Sequence, residues 1–177
     1  SPDPLTETSS AEPGSLHGVM HLSREIMLKQ VCNVPMAILR PSLIYGAEDT
    51  HNGYGPNQFL RLALAGKEIT LFGEGEEQRD HVYIEDVVNI LLLVILYCSE
   101  GVINVATGSV VSFREIAQMV SEYFNPNIII NTIPRVGPMP HNGYRPFDPS
   151  SCLTAFPKFN YTTFANGLEI TFKALTH

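Results

Sequence analysis

The sequence predicts an α/β protein. Segments with apolar residues at helical spacing alternate with short runs rich in Val, Ile and Leu. The short runs stop at proline or glycine, as buried strands do. The chain is 44% hydrophobic and 16% charged, the balance of a soluble globular domain, so there is enough apolar material for a core.

Residues 1–15, rich in Pro, Ser, Thr and Glu, read as a loop. A helix is expected from Leu16 to Gln30, with Val19, Leu22, Ile26 and Met27 on one stripe. Met36 to Leu39 is a strand running into Arg40-Pro41, and the buried stretch is expected to continue to Leu43. Residues 46–57 hold four glycines or prolines and form a loop. A short helix spans Gln58 to Ala65 and ends at Gly66. Strands follow at Glu68 to Phe72 and His81 to Tyr83. Glu85 and Asp86 open a helix to Cys98, because acidic side chains suit the positive end of the helix dipole. Val102 to Val105 is a strand. Ser112-Phe113-Arg114-Glu115 is a capping box in front of a helix with Phe113, Ile116, Ala117, Val120 and Phe124 on one face. Ile128 to Ile130 is a strand. Residues 134–157, with six prolines, are expected to be irregular, and a closing helix runs from Thr162 to Leu175.

Several function classes are excluded at this level. A formal charge of -7 argues against nucleic acid, whose phosphates need Lys and Arg. The longest apolar run, Ile90–Cys98, is far short of the roughly 20 residues of a membrane span. Cys32, Cys98 and Cys152 are widely spaced and form no CxxC, which disfavours a thiolate metal site or a disulfide framework. Free thiols suit a reducing, cytoplasmic compartment. GxGxxG, GxxGxxG and GxxxxGK[ST] are all absent.

Five stretches, in order and at suitable spacing, resemble the extended short-chain dehydrogenase/reductases, the NAD-dependent sugar-nucleotide epimerase/dehydratase family. Leu39-Arg40-Pro41-Ser42-Leu43-Ile44-Tyr45-Gly46 resembles L-R-P-x-N-V-Y-G, and Leu71-Phe72-Gly73-Glu74-Gly75 resembles L-F-G-D-G. The stretch from Gln78 to Val88 resembles Q-x-R-D-F-V-Y-V-x-D-V. Asn104 to Gly108 resembles N-x-G-x-G, and Arg145-Pro146-Phe147-Asp148 resembles the late R-x-x-D. The resemblance implies the C-terminal part of an NAD(P)-binding Rossmann-fold protein. Residues 1–45 would be the remnant of the Rossmann domain, with its active-site helix and following strand. Residues 46–177 would be the small α/β substrate-binding domain, with elements returning to the Rossmann sheet.

The family's active-site helix carries Y-G-x-S-K-x-x-x-E. Here the aligned residues are His17-Gly18-Val19-Met20-His21-Leu22-Ser23-Arg24-Glu25. The resemblance thus puts His17 and His21 in the catalytic slots. Imidazole titrates near neutrality and can act as general base, but it replaces the lysine cation with less charge and shorter reach. Three readings stay open: a weakened or inactive family member, altered acid/base chemistry through His17, or a metal site from His17, His21 and Glu25. No sure third ligand is visible for the last.

By the same resemblance, Pro41 and Ser42 would contact NAD or NADP. Arg79 and Arg145 would clamp the diphosphate of a nucleoside diphosphate sugar, since guanidinium forks match phosphoryl oxygens. Asn57, Gln58, Phe72 and Asp148 would complete the substrate contacts. Leu43 stands where the family usually has Asn and cannot donate a hydrogen bond. The family's cofactor-binding first half is not in this sequence, so the chain alone is expected not to hold the dinucleotide and to be inactive. Its catalytic-helix stripe and the strand at 36–43 are expected to need neighbours: a separate N-terminal Rossmann half, or self-association as a homodimer.

Overall fold

The computed structural model describes residues 3–176. Helix α1, Leu16–Val31, begins where Ser15 accepts a hydrogen bond from the Gly18 amide, and it has no buried residue. Its apolar stripe is left open, with Val19, Ile26 and Met27 at 44%, 53% and 67% exposure. The stretch expected as one strand is two. Strand β1, Ala37–Pro41, pairs in parallel with β5, Gly101–Val105. Strand β2, Leu43–Tyr45, pairs in parallel with β4, Gln78–Tyr83. Proline has no amide hydrogen to donate. The chain changes partner at this point, and the Ser42 amide gives the last bond to the Val105 carbonyl.

Strand β4 is longer than its apolar residues suggest because it has three partners. Besides β2 it takes β6, Val110–Ser112, in antiparallel and β8, Tyr144–Arg145, in parallel orientation. Strand β3, Ile69–Phe72, pairs in parallel with β7, Ile130–Ile133, two residues beyond the expected start. Helix α2, Pro56–Leu64, starts earlier than expected, since Gly55 at φ +133° turns the chain and Pro56 suits a first helical turn. Helix α3 is Ile84–Leu96. Its buried Asp86 accepts from the Thr162 amide and hydroxyl at 2.8 and 2.9 Å. Helix α4, Phe113–Phe124, carries the expected capping box from Ser112 and Glu115. The proline-rich segment is not wholly irregular. It contains a 3-10 turn at Pro140–Gly143, strand β8, and helix α5, Ser150–Ala155. Helix α6 is Phe164–Leu175.

Among the described residues two apolar clusters form the core. One joins α2, α3's start, α4, α6 and β3 around Phe59, Leu60, Leu71, Ile116, Val120 and Leu168. The other joins β1, β5, α3 and α5 around Ile90, Val94, Ile103, Val105 and Cys152. Tyr45 is 1% exposed and lies against Gly167, where a Cβ would come within 1.9 Å of its hydroxyl oxygen.

Candidate active site and arginine cluster

Parallel pairing of β4 with β8 sets Arg79 opposite Arg145 in register. Arg79 is 7% exposed. Its Nη1 donates to the Gln78 carbonyl at 2.7 Å and its Nη2 to the Pro140 carbonyl at 2.8 Å. Nη2 also pairs with Glu77 Oε1. The other Glu77 oxygen takes Arg135 Nη2 at 2.9 Å. Arg145 Nη1 lies 2.6 Å from His141 Nε2, and its guanidinium lies 5.8 Å from the Phe147 ring centre. Burial lowers the Arg79 pKa from its ordinary value, with Arg145 and Arg135 adding repulsion against the attraction of Glu77. Burial also lowers the His141 pKa, helped by Arg145 and Arg79. Three guanidinium groups and one carboxylate thus share one neighbourhood, on a chain of net charge -7.

Arg145 and His141 form one wall of a cleft of about 740 Å³. The facing wall is the 10–15 segment and the face of α1 that carries Gly18, His21, Leu22 and Glu25, with Arg40 beside it. His17 does not line the cleft, but its Nε2 lies 3.1 Å from His21 Nε2, so one imidazole donates to the other. Glu25 is committed elsewhere. Arg40 Nε and Nη2 donate to its two oxygens at 2.9 and 2.6 Å, and these bonds lower its pKa. Among the described residues no three His, Cys, Asp or Glu side chains converge on a metal-holding geometry.

The other residues singled out from the sequence are distributed differently. Gln58 and Phe72 line a second cleft of about 600 Å³ with Tyr54, Leu62, Lys67 and Thr70. There the Tyr54 and Phe72 rings lie 5.0 Å apart, and the Tyr54 hydroxyl accepts from the Phe72 amide at 3.2 Å. Asn57 is buried. It accepts from the Gly46 amide at 3.1 Å and donates to Asp49 at 2.6 Å, which ties down the 46–57 loop. Asp148 accepts from the Ser150 amide at 2.9 Å and opens α5. Pro41 ends β1, and Ser42 donates to Asp80 Oδ1 at 2.8 Å. That buried carboxylate also accepts from the Thr107 and Gly108 amides at 3.1 and 2.8 Å, and burial raises its pKa.

Arg135 and Glu77 were not singled out from the sequence. Arg135 sits in the proline-rich segment, far along the chain from Arg79, and only the β3–β7 pairing carries it to Glu77. Its Nη2 also lies 3.5 Å from the Phe72 carbonyl.

A dinucleotide needs a glycine-rich turn from a strand into a helix N-terminus to receive its pyrophosphate. Among the described residues β4 enters α3 directly at Tyr83, and the loop between β2 and α2, with Gly46, Gly53 and Gly55, lacks the GxGxxG or GxxGxxG spacing. The glycine turn that would receive the pyrophosphate of NAD is thus not among the described residues.

Parallel strand pairs flanked by helices define a Rossmann-type α/β chain. The likeness in fold to a UDP-glucose 4-epimerase of Thermotoga maritima, solved with UDP-glucose, covers 98% of this chain and 57% of that one, with a TM-score of 0.86 at 24% identity. The chain belongs to the NAD dependent epimerase/dehydratase family, whose model matches residues 1–106. It is 29% identical over 125 residues to the ADP-L-glycero-D-manno-heptose-6-epimerase of Fusobacterium nucleatum, a stretch that is 68% of this chain and 37% of that protein. It is 28% identical over 116 residues to a UDP-glucose 4-epimerase of Mycolicibacterium smegmatis, which is 64% of this chain and 36% of that protein. The matched stretches are thus well under half the length of these two relatives. No helix among the described residues is long and apolar enough to cross a membrane.

Proposed function

We propose that this chain is the nucleotide-sugar-binding part of an NAD(P)-dependent epimerase or dehydratase, with His17 and His21 in the slots that the family fills with Tyr and Lys. The observation that carries the reading is the register pairing of Arg79 with Arg145 beside Arg135. A nucleoside diphosphate sugar has two ionised phosphoryl groups, and guanidinium forks are the side chains best matched to them. The diphosphate would lie on this cluster. The base would lie in the cleft of Phe72 and Gln58, and the sugar would lie toward His21 in the larger cleft. Asp148 and Asn57 would act at one remove, by holding the loops that frame the clefts.

In this reading residues 1–45 belong with the dinucleotide-binding part and residues 46–177 with the substrate part. Pro41 and Ser42 would face the nicotinamide end of NAD or NADP. The free edge of β1 would take the strands of the dinucleotide-binding half, since a parallel sheet is ordinarily covered on both faces.

Titration calorimetry of the chain with UDP-glucose tests the assignment. Binding is expected, and R145A should weaken it about tenfold or more, the order set by loss of a charge-assisted hydrogen bond. No heat with UDP-glucose, or an unchanged affinity in R145A, would sink the reading.

A second reading is a non-catalytic nucleotide-sugar-binding or dimerisation module. It is favoured by the pairing of His21 with His17 rather than with a cleft group. A metal-binding variant has less support, because Glu25 is taken by Arg40.

A further inference from the structure

Glu77 is 8% exposed, and its two oxygens are divided between two arginines. Both hydrogens of Arg79 Nη2 are engaged, one by Glu77 and one by the Pro140 carbonyl. A phosphoryl group therefore cannot take the Arg79 fork in bidentate fashion while Glu77 stays where it is. Arg135 gives its Nη2 to the other Glu77 oxygen, and its Nε is buried with no acceptor among the described residues. A buried N–H without an acceptor is costly, so this atom has a free-energy reason to meet an incoming oxygen. Arg145 stands opposite Arg79 and makes no ion pair with Glu77 among the described residues.

We propose that Glu77 is a built-in counterion that competes with phosphoryl oxygens for the Arg79 and Arg135 guanidinium groups and so sets how tightly this cluster holds an anion. The proposal rests on the reading of the cluster as a diphosphate site. With Glu77 in place, three positive charges are offset by one negative charge. A diphosphate must either displace that carboxylate or lie beside it, and like charges brought together at a desolvated site repel. The affinity is thereby held below what three arginines would give, which favours release of a nucleotide after each encounter.

The test is calorimetry of the 177-residue chain and its E77Q variant with UDP as the probe. E77Q keeps the shape of the side chain and removes its charge. Tighter UDP binding, by about tenfold, is expected from relief of the like-charge contact. Unchanged or weaker binding in E77Q, with the parent chain binding UDP, overturns the counterion role and makes Glu77 a positioning residue, while the diphosphate reading stands. UDP binding by neither protein overturns both. Should E77Q show no cooperative thermal transition, E77A, which also removes the charge, replaces it, and tighter UDP binding is again expected.

Discussion

His81 is 4% exposed, packed edge-on against Phe113 and tilted against Phe164, with its Nδ1 3.2 Å from the Arg79 carbonyl. Its Nε2 is buried without a hydrogen-bond partner among the described residues. Burial pushes its pKa down to about 4, because the charged imidazolium would be stripped of water. The unfolded chain, with an ordinary imidazole, therefore binds more protons below about pH 6.5. Stability from this residue is complete above that pH and is lost as pH falls toward 4, by up to about 3 kcal/mol. Urea unfolding at a series of pH values should show the decline, and H81L should flatten it. An equal decline in H81L would assign the effect to other groups. The same scale shows what a sequence can and cannot disclose. Arg79 could be singled out because its neighbours along the chain form a motif. Glu77 and Arg135 meet only through a strand pairing, and nothing local to either residue announces it. Asn57 and Gln58 look alike in the sequence, yet one is turned inward to Gly46 and Asp49 and the other lines a cleft.

Elements were legible where local chemistry decides them. The Ser112–Glu115 capping box occurs as read, with the Ser112 hydroxyl accepting from the Glu115 amide at 3.1 Å and Glu115 accepting from the Ser112 amide at 2.7 Å. S112A is expected to lower stability by about 1 kcal/mol in urea unfolding, and an effect near zero would show that tertiary packing alone holds α4. Elements decided by distant partners were not legible. The division of 37–45 into β1 and β2 follows from two different sheets competing for one stretch of chain. Helix α5 is only six residues long, too short to show an apolar stripe, and prolines flank it. Strand β8 is two residues long and exists because β4 offers an edge there.

At the scale of the whole molecule, the uneven distribution of apolar surface dominates. Leu92, Ile95, Leu96 and Tyr97 on and beside α3 are 51–75% exposed, and Leu16, Met20 and Val31 of α1 are 61–83% exposed. Each large side chain left in water forgoes roughly 1.5–3 kcal/mol of burial. Beside them the β1 edge has no partner strand among the described residues on the side away from β5. The chain by itself is expected to self-associate, with sedimentation velocity giving a species larger than one chain. I95E/L96E should move it toward the monomer without loss of helix content. A monomer at high concentration would argue against it. The arginine cluster, on β4, β8 and the segment after β7, has no residue in either apolar patch, so ligand binding and association can be tested apart.

The contact between α6 and Tyr45 has one more consequence. A methyl group at position 167 would overlap a phenol that is itself locked in the core, so α6 is seated to the tolerance of a single hydrogen atom. Exposed positions of α6 can be exchanged without this clash, but any side chain at position 167 must displace Tyr45.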